Sequence, residues 1–142
     1  MSDSGFDMGL GDVAQAGVYA VAHGDLGGLA AAARDAGLKV LRVDLEGCTD
    51  KRTLLLRIAT QLDFPPGTGR NWDALSDALR DLSWLPASGY ALLFGEADGL
   101  RHSGSEDLDT LLDVLGEAAA SWAGDGIPFW AFFELSADTT EA

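Results

Sequence analysis

Short runs of apolar residues alternate along the chain with longer segments in which apolar residues recur at helical spacing. Apolar runs rich in β-branched and aromatic residues predict four strands, at 17–22, 38–45, 90–94 and 127–133. The last run, IPFWAFF, is continuously apolar, which is typical of a strand that is covered on both faces.

Helices are predicted between these strands. An Ala-rich segment predicts one at 29–36, after a glycine loop at 23–28. A second runs from a cap at Thr49 or Asp50 to about residue 62, and a third covers 71–83. After a long loop at 95–104, Ser105 is expected to cap a fourth helix that ends near Trp122. Its apolar stripe is formed by Leu108, Leu111, Leu112, Leu115, Ala119 and Trp122.

The resulting order, β-α-β-α-α-β-α-β, predicts an α/β fold with a mainly parallel sheet of about four strands packed with helices. We expect a flexible N-terminal leader at 1–16, a single domain at 17–135 and a flexible tail at 136–142. The sequence contains no run of 18 apolar residues, so no membrane span is predicted. It also has no basic segment followed by an apolar run, so no signal peptide is predicted. With Cys48 as the single cysteine, a cytoplasmic protein is expected.

Charge narrows the class of partner. The chain has 23 Asp and Glu against 9 Lys and Arg, a formal net charge of −14. This sign disfavours nucleic acid backbones and anionic membranes, and it favours cationic partners. It is also compatible with an acidic surface that only keeps the protein in solution.

Three aspartates recur every four residues on the third predicted helix. Trp72, Leu75, Leu79 and Leu82 share the face that points to the core, and the opposite face carries Asp73, Asp77 and Asp81. Each like-charged pair at this spacing costs about 0.2–0.5 kcal/mol, which Arg80 offsets in part. The row is therefore either a solvated helix face or a surface that presents carboxylates to a cationic partner.

The segment GTGRNWDALSDAL, residues 67–79, resembles the hallmark of the barstar family of ribonuclease inhibitors. Neighbouring segments resemble the same family in order: DLEGCTDKRTLLLRIATQLDFP, LPASGYALLF and LLDVLGEAAASWAGDGIPFWAFFEL. The resemblance covers about residues 40–135, so the β-α unit at 17–37 is an addition, expected to supply an edge strand and a helix.

This resemblance implies a non-enzymatic inhibitor without cofactor or metal, which blocks a basic ribonuclease with an acidic helix and the loop before it. Carried over by position, it implies partner-binding roles for Gly69, Arg70, Asn71, Asp73, Ser76, Asp77 and Glu117. The chain departs from the family's type member at four positions. Gly67, Thr68 and Ser76 stand where that protein has aromatic residues, and Arg70 stands where it has an acid.

Other hypotheses remain open from the sequence. The missing aromatics are compatible with a partner that is not a ribonuclease. Asp73 and Asp77 are spaced to share Mg²⁺, and Glu106, Asp109 and Asp113 form a second acidic row, as a metal-dependent enzyme would need.

Residues outside the acidic helix are read as structural. GDLGG at 24–28 has the position of a phosphate loop, but Asp25 favours a turn and cap instead. His23, His102 and Cys48 lack the neighbours of a metal or thiolate site. Trp84 is expected near the acidic face and partly exposed.

Overall fold

The computed structural model describes residues 10–22 and 24–135. After a 3₁₀ turn at Val13–Gln15, the elements are β1 (Val18–Ala22), α1 (Leu26–Asp35), β2 (Lys39–Asp44), α2 (Lys51–Gln61), α3 (Trp72–Asp81), β3 (Tyr90–Gly95), α4 (Asp98–Ser103), α5 (Ser105–Gly124) and β4 (Phe129–Leu135). Residues 1–9 of the leader predicted at 1–16, the tail at 136–142 and His23 lie outside the described residues.

The four strands form one parallel sheet in the order β1-β4-β3-β2. This confirms the predicted α/β class with about four strands. The additional strand β1 pairs with β4, with Val18 opposite Ala131, and lies at the edge of the sheet as expected.

The two central strands are covered on both faces. Successive side chains of β4 point to opposite faces: Phe129, Ala131 and Phe133 enter one hydrophobic core, and Trp130 and Phe132 enter the other. Strand β3 divides its side chains in the same way. The run IPFWAFF is therefore continuously apolar because its strand is buried on both faces, as the sequence predicts.

Helices α2, α3, α4 and α5 cover the face of the larger core, and α1 covers the other face. Within the smaller core, the indole Nε1 of Trp130 donates a hydrogen bond to the carbonyl of Leu10 at 2.8 Å. Leu10 falls in the segment predicted as a leader, yet it is buried. This contact ties the chain before β1 to the middle of the sheet.

The prediction of a loop across 95–104 is wrong, because Asp98–Ser103 forms the short helix α4. Six residues are too few to show a helical period in the sequence. The helix is instead held by tertiary packing, since Ala97 and Leu100 beside and within it are fully buried.

The glycine loop predicted at 23–28 ends earlier than expected. Helix α1 begins at Leu26 and includes Gly27 and Gly28, which have poor helix propensity. Burial of Leu26 against the sheet outweighs that cost. At α5, Ser105 is the first helical residue and Gly104 is the cap, without a side-chain hydrogen bond.

No helix among residues 10–22 and 24–135 combines the length and the apolar character that crossing a membrane requires.

Gly89 lies where the starts of three strands converge. Its carbonyl accepts a hydrogen bond from the amide of Lys39, and the next residue, Tyr90, donates to the carbonyl of Pro128. A Cβ at Gly89 would lie 2.4 Å from Leu38 Cδ2 and 3.0 Å from Pro128 Cγ. Leu38 and Pro128 therefore leave no room for a side chain at Gly89 unless they shift.

We predict that Gly89→Ala lowers the free energy of unfolding by about 1–3 kcal/mol, because the methyl group overpacks the strand junction. Gly116→Ala is the matched control. A Cβ at Gly116, in the exposed face of α5, meets nothing within 4 Å in the described part of the chain. It should stabilise by about 0.5–1 kcal/mol. Urea denaturation distinguishes the two, and equal effects would contradict the close approach at Gly89.

Candidate functional site

The start of α3 is built by the residues of the hallmark segment. Asn71 has extended backbone angles, and its side-chain oxygen accepts a hydrogen bond from the amide of Ala74 at 2.7 Å. A Cβ at Gly69 would lie 3.2 Å from Asn71 Nδ2 and 3.4 Å from Ala74 Cβ. Gly69 thus leaves room for the cap, so these two residues of the hallmark first serve to begin the helix.

The apolar face of α3 determines how the helix is oriented about its own axis. Leu75 and Leu79 are buried in the larger core, so the residues on the opposite side face solvent. The indole of Trp122 on α5 donates a 2.8 Å hydrogen bond to the carbonyl of Leu79. Leu82 closes the helix with a left-handed backbone (φ 48°). These contacts hold α3 against α5 in one orientation.

The outer face of α3 exposes Asp73, Asp77 and Asp81, as the helical spacing predicts. Asp73 has no side-chain hydrogen bond or ion pair within the described residues. Asp77 pairs with Arg80 at 2.8 Å, but its side chain remains 77% exposed. Exposed pairs of this kind contribute about 0–1 kcal/mol, so Asp77 stays available to a stronger cation.

A groove of about 390 Å³ lies beside this face. It is lined by Pro65, Thr68, Gly69, Ala74, Asp77, Ala78, Asp81 and Trp84. The groove joins the loop before α3 to two carboxylates of the helix. The fold therefore brings Gly69 and Asp77, two of the predicted site residues, to the same place.

Trp84 supplies an aromatic wall to this groove. Its ring packs edge-on against Phe64, with ring centroids 5.5 Å apart and an interplanar angle of 80°. Its indole Nε1 donates to the carbonyl of Leu62 at 3.0 Å. It is half-buried, which confirms the expectation from the sequence. The predicted site residues include neither Trp84 nor Asp81, because their approach to the loop depends on where α3 ends.

The remaining predicted site residues do not line this groove. Glu117 is exposed on α5, the helix that packs against α3. Ser76 is half-buried, and its carbonyl accepts a hydrogen bond from Arg80 Nε at 3.3 Å. Arg70 does not line the groove beside Asp77; it lines a second groove, against the start of α2.

The acidic rows of α3 and α5 belong to neighbouring helices in one layer. Among residues 10–22 and 24–135, however, no three His, Cys, Asp or Glu side chains lie close enough together to hold a metal ion.

The loop before α1 uses its backbone differently from a phosphate loop. Glu134, at the end of β4, accepts a 2.8 Å hydrogen bond from the amide of Gly24 and a 3.4 Å bond from the amide of Glu96. A carboxylate of the protein thus binds the backbone donor that a phosphate would need. Asp25 caps α1 by position but makes no capping hydrogen bond.

Cys48 is fully buried, and burial raises the pKa of its thiol. Its Sγ lies 3.7 Å from the carbonyl oxygen of Thr53, to which it donates. A thiol that is protonated and shielded from solvent has the character of a packing residue.

Comparison with known proteins decides the family. A family model described as Barstar (barnase inhibitor) matches residues 38–134, from the start of β2 to the end of β4. The chain belongs to the barstar family. In this barstar-family protein, β1 and α1 precede the matched region.

Among solved structures, the Aeropyrum pernix ORC2 protein, solved as ADPNP–ADP complexes, is similar with a TM-score of 0.54 and 18% sequence identity. The alignment covers 88% of this chain and 36% of that protein, so the chain spans about a third of its length. At this identity the likeness is one of fold alone. No curated protein matches the sequence.

We predict that Asn71→Ala lowers the free energy of unfolding by about 1 kcal/mol, because the amide of Ala74 loses its acceptor. Asn71→Asp keeps an acceptor at the cap and should change stability by much less. Thermal or urea denaturation measures both variants. Equal losses in the two would mean that the capping hydrogen bond is not what Asn71 contributes.

Proposed function

We propose that this protein is an inhibitor that binds a basic ribonuclease, or a related basic toxin, through α3 and the loop before it. The observation that carries the proposal is the row of exposed carboxylates on α3, held beside a groove with an aromatic wall. Membership in the barstar family, whose description names barnase inhibition, supports the same function.

The chemistry follows from charge and rigidity. A ribonuclease active site binds phosphates through Arg and Lys side chains, and carboxylates satisfy the same donors with charge-assisted hydrogen bonds. Asp73 and Asp77 are one helical turn apart, and the packing of Leu75 and Leu79 leaves α3 no freedom to rotate. A preorganised surface loses little entropy on binding. Occupying the phosphate positions would block the substrate.

Glu117, Gly69 and Ser76 would complete the contact around α3. Glu117 offers a further carboxylate from α5, and Gly69 allows close approach of the loop backbone. Trp84 would replace the aromatic anchors that the type member carries at the positions of Gly67 and Thr68. Aromatic side chains at the centre of an interface often contribute most of the binding energy.

This function is one of binding and not of catalysis, and we place it in the cytoplasm. There, a single reduced, buried cysteine is stable, and a cell would need protection from its own nuclease.

A second candidate partner is a basic protein that is not a ribonuclease. The position of the aromatic wall favours this alternative. In the type member the aromatic residues lie in the loop and between the two aspartates, whereas Trp84 lies beyond the C-terminal end of α3. A partner that meets the aromatic at a different place differs from barnase in the shape of its site.

We predict that Asp77→Ala weakens binding to barnase by about 2–5 kcal/mol, because it leaves a desolvated cation of the enzyme unpaired. Asp35→Ala, which removes an exposed carboxylate from α1 on the other side of the sheet, is the control and should leave affinity nearly unchanged. Calorimetry and ribonuclease activity measure the two variants. A saturating excess of the unmodified protein that releases no heat and inhibits nothing would exclude barnase as a partner.

We also predict that Arg80→Gln strengthens binding to barnase by about two- to five-fold, the range of an exposed ion pair. Arg80 neutralises Asp77 in the free protein and would repel a cationic partner. Arg34→Gln, an exposed change on α1, makes the same change in net charge away from α3. Equal gains in the two variants would mean that net charge, and not release of Asp77, sets the affinity.

A further inference from the structure

A second groove, of about 600 Å³, lies between the start of α2, the loop before α3 and the first turn of α5. We call it the cationic groove. It is lined by Asp50, Lys51, Arg52, Leu55, Leu56, Arg70 and Asp107. It therefore gathers three of the chain's 9 Lys and Arg residues, in a protein of net charge −14.

The three cations of this groove make few contacts with the rest of the fold. Within the described residues, Lys51, Arg52 and Arg70 make no side-chain hydrogen bond and no ion pair. Arg57, by contrast, lies one turn further along α2 and donates to the carbonyls of Asp44 and Glu46. Arginines that serve the structure are thus distinguishable from those that face the groove.

The positions of Lys51 and Arg52 are unfavourable for the helix itself. They are the first two residues of α2, whose first turn contains no acid. A cation at this end opposes the helix dipole and costs about 0.3–1 kcal/mol. Residues that are kept against a local preference often serve a function.

The floor of the groove is apolar. Leu56 is 43% exposed, and Tyr19 is the other large hydrophobic side chain with comparable exposure in the described part of the chain. Leu55, which is buried, lies beside it. An exposed leucine in a groove where cations outnumber carboxylates suits a ligand that has both an apolar side chain and negative charge.

The acids of the groove do not cancel its charge. Asp50 accepts hydrogen bonds from the amide and the hydroxyl of Thr53, at 2.9 and 2.8 Å. These bonds, and to a smaller extent the nearby charge of Arg52, lower the pKa of its carboxyl, so Asp50 caps α2 in its charged form. Asp50 and Asp107 therefore offset two of the three cations, and the groove keeps a small excess of positive charge.

We propose that the cationic groove binds an acidic segment of a protein partner, with an apolar side chain of that segment resting on Leu56. That this partner is the one bound by α3 rests on the proposed function. Gly69 lines the groove beside Asp77 and Arg70 lines the cationic groove, so consecutive loop residues connect the two surfaces. A partner would then present cations to α3 and an acidic segment beside them.

The test uses the full chain, labelled with ¹⁵N, and a synthetic acetylated hexapeptide of sequence EELEEL. Amide shifts at Leu56 and Arg70 that saturate with a Kd between about 0.1 and 5 mM are the expected result. Arg52→Gln combined with Arg70→Gln should weaken binding at least tenfold, and Leu56→Ser should weaken it several-fold. Arg34→Gln combined with Lys39→Gln, two exposed cations that do not line this groove, is the charge-matched control and should leave the peptide affinity nearly unchanged.

Absence of shifts at Leu56 and Arg70 would overturn the proposal, as would binding that survives the double substitution. Preferential binding of a uridine decanucleotide in the same groove would also overturn it, by assigning the cations to nucleic acid. Asp77→Ala should leave the peptide affinity unchanged. If the protein fails to inhibit barnase but still binds the peptide, the proposed function is rejected. The proposal that the cationic groove binds acidic segments is then still supported.

Discussion

Two-sided burial of β3 and β4 is the constraint on which the rest of the structure depends. Alternate side chains of these strands enter opposite cores, and the stacked rings of Phe94 and Phe133, 4.4 Å apart, join the strands on one face. Each face then needs a helical layer. The layer that covers Phe133 includes α3 and α5, and their apolar stripes face the sheet, so their acidic rows face solvent.

The fold could be predicted from the sequence wherever a segment was long enough to show a period. The run ending at Phe133 and the stripe of α5 meet that condition. Helix α4 does not, because its six residues are ordered by the burial of Leu100 and not by propensity. The early start of α1 was missed for a related reason, since the packing of Leu26 overrides two glycines.

The candidate site also combines features that the sequence predicts with features that only the tertiary structure produces. The exposure of Asp73 and Asp77 follows from helical spacing alone, because both lie opposite Leu75 and Leu79. The groove beside them could not be predicted from helical spacing, because Pro65 and Trp84 are separated along the chain by the whole of α3. The cationic groove has the same origin: only the fold brings Arg70 to the start of α2.

Charges of opposite sign on adjoining surfaces have different roles at different distances. At separations up to about one Debye length, roughly 8 Å at physiological salt, the net charge of −14 attracts any cationic protein, and beyond that distance salt screens the attraction. At contact in the proposed complex, Arg70 and Lys51 would repel a partner that is cationic throughout, while Asp73 and Asp77 would attract its cations. Specificity needs such a repulsive element, because attraction alone does not discriminate among basic proteins. In the proposed complex, the Arg that replaces an acid at position 70 would therefore restrict which partner can bind.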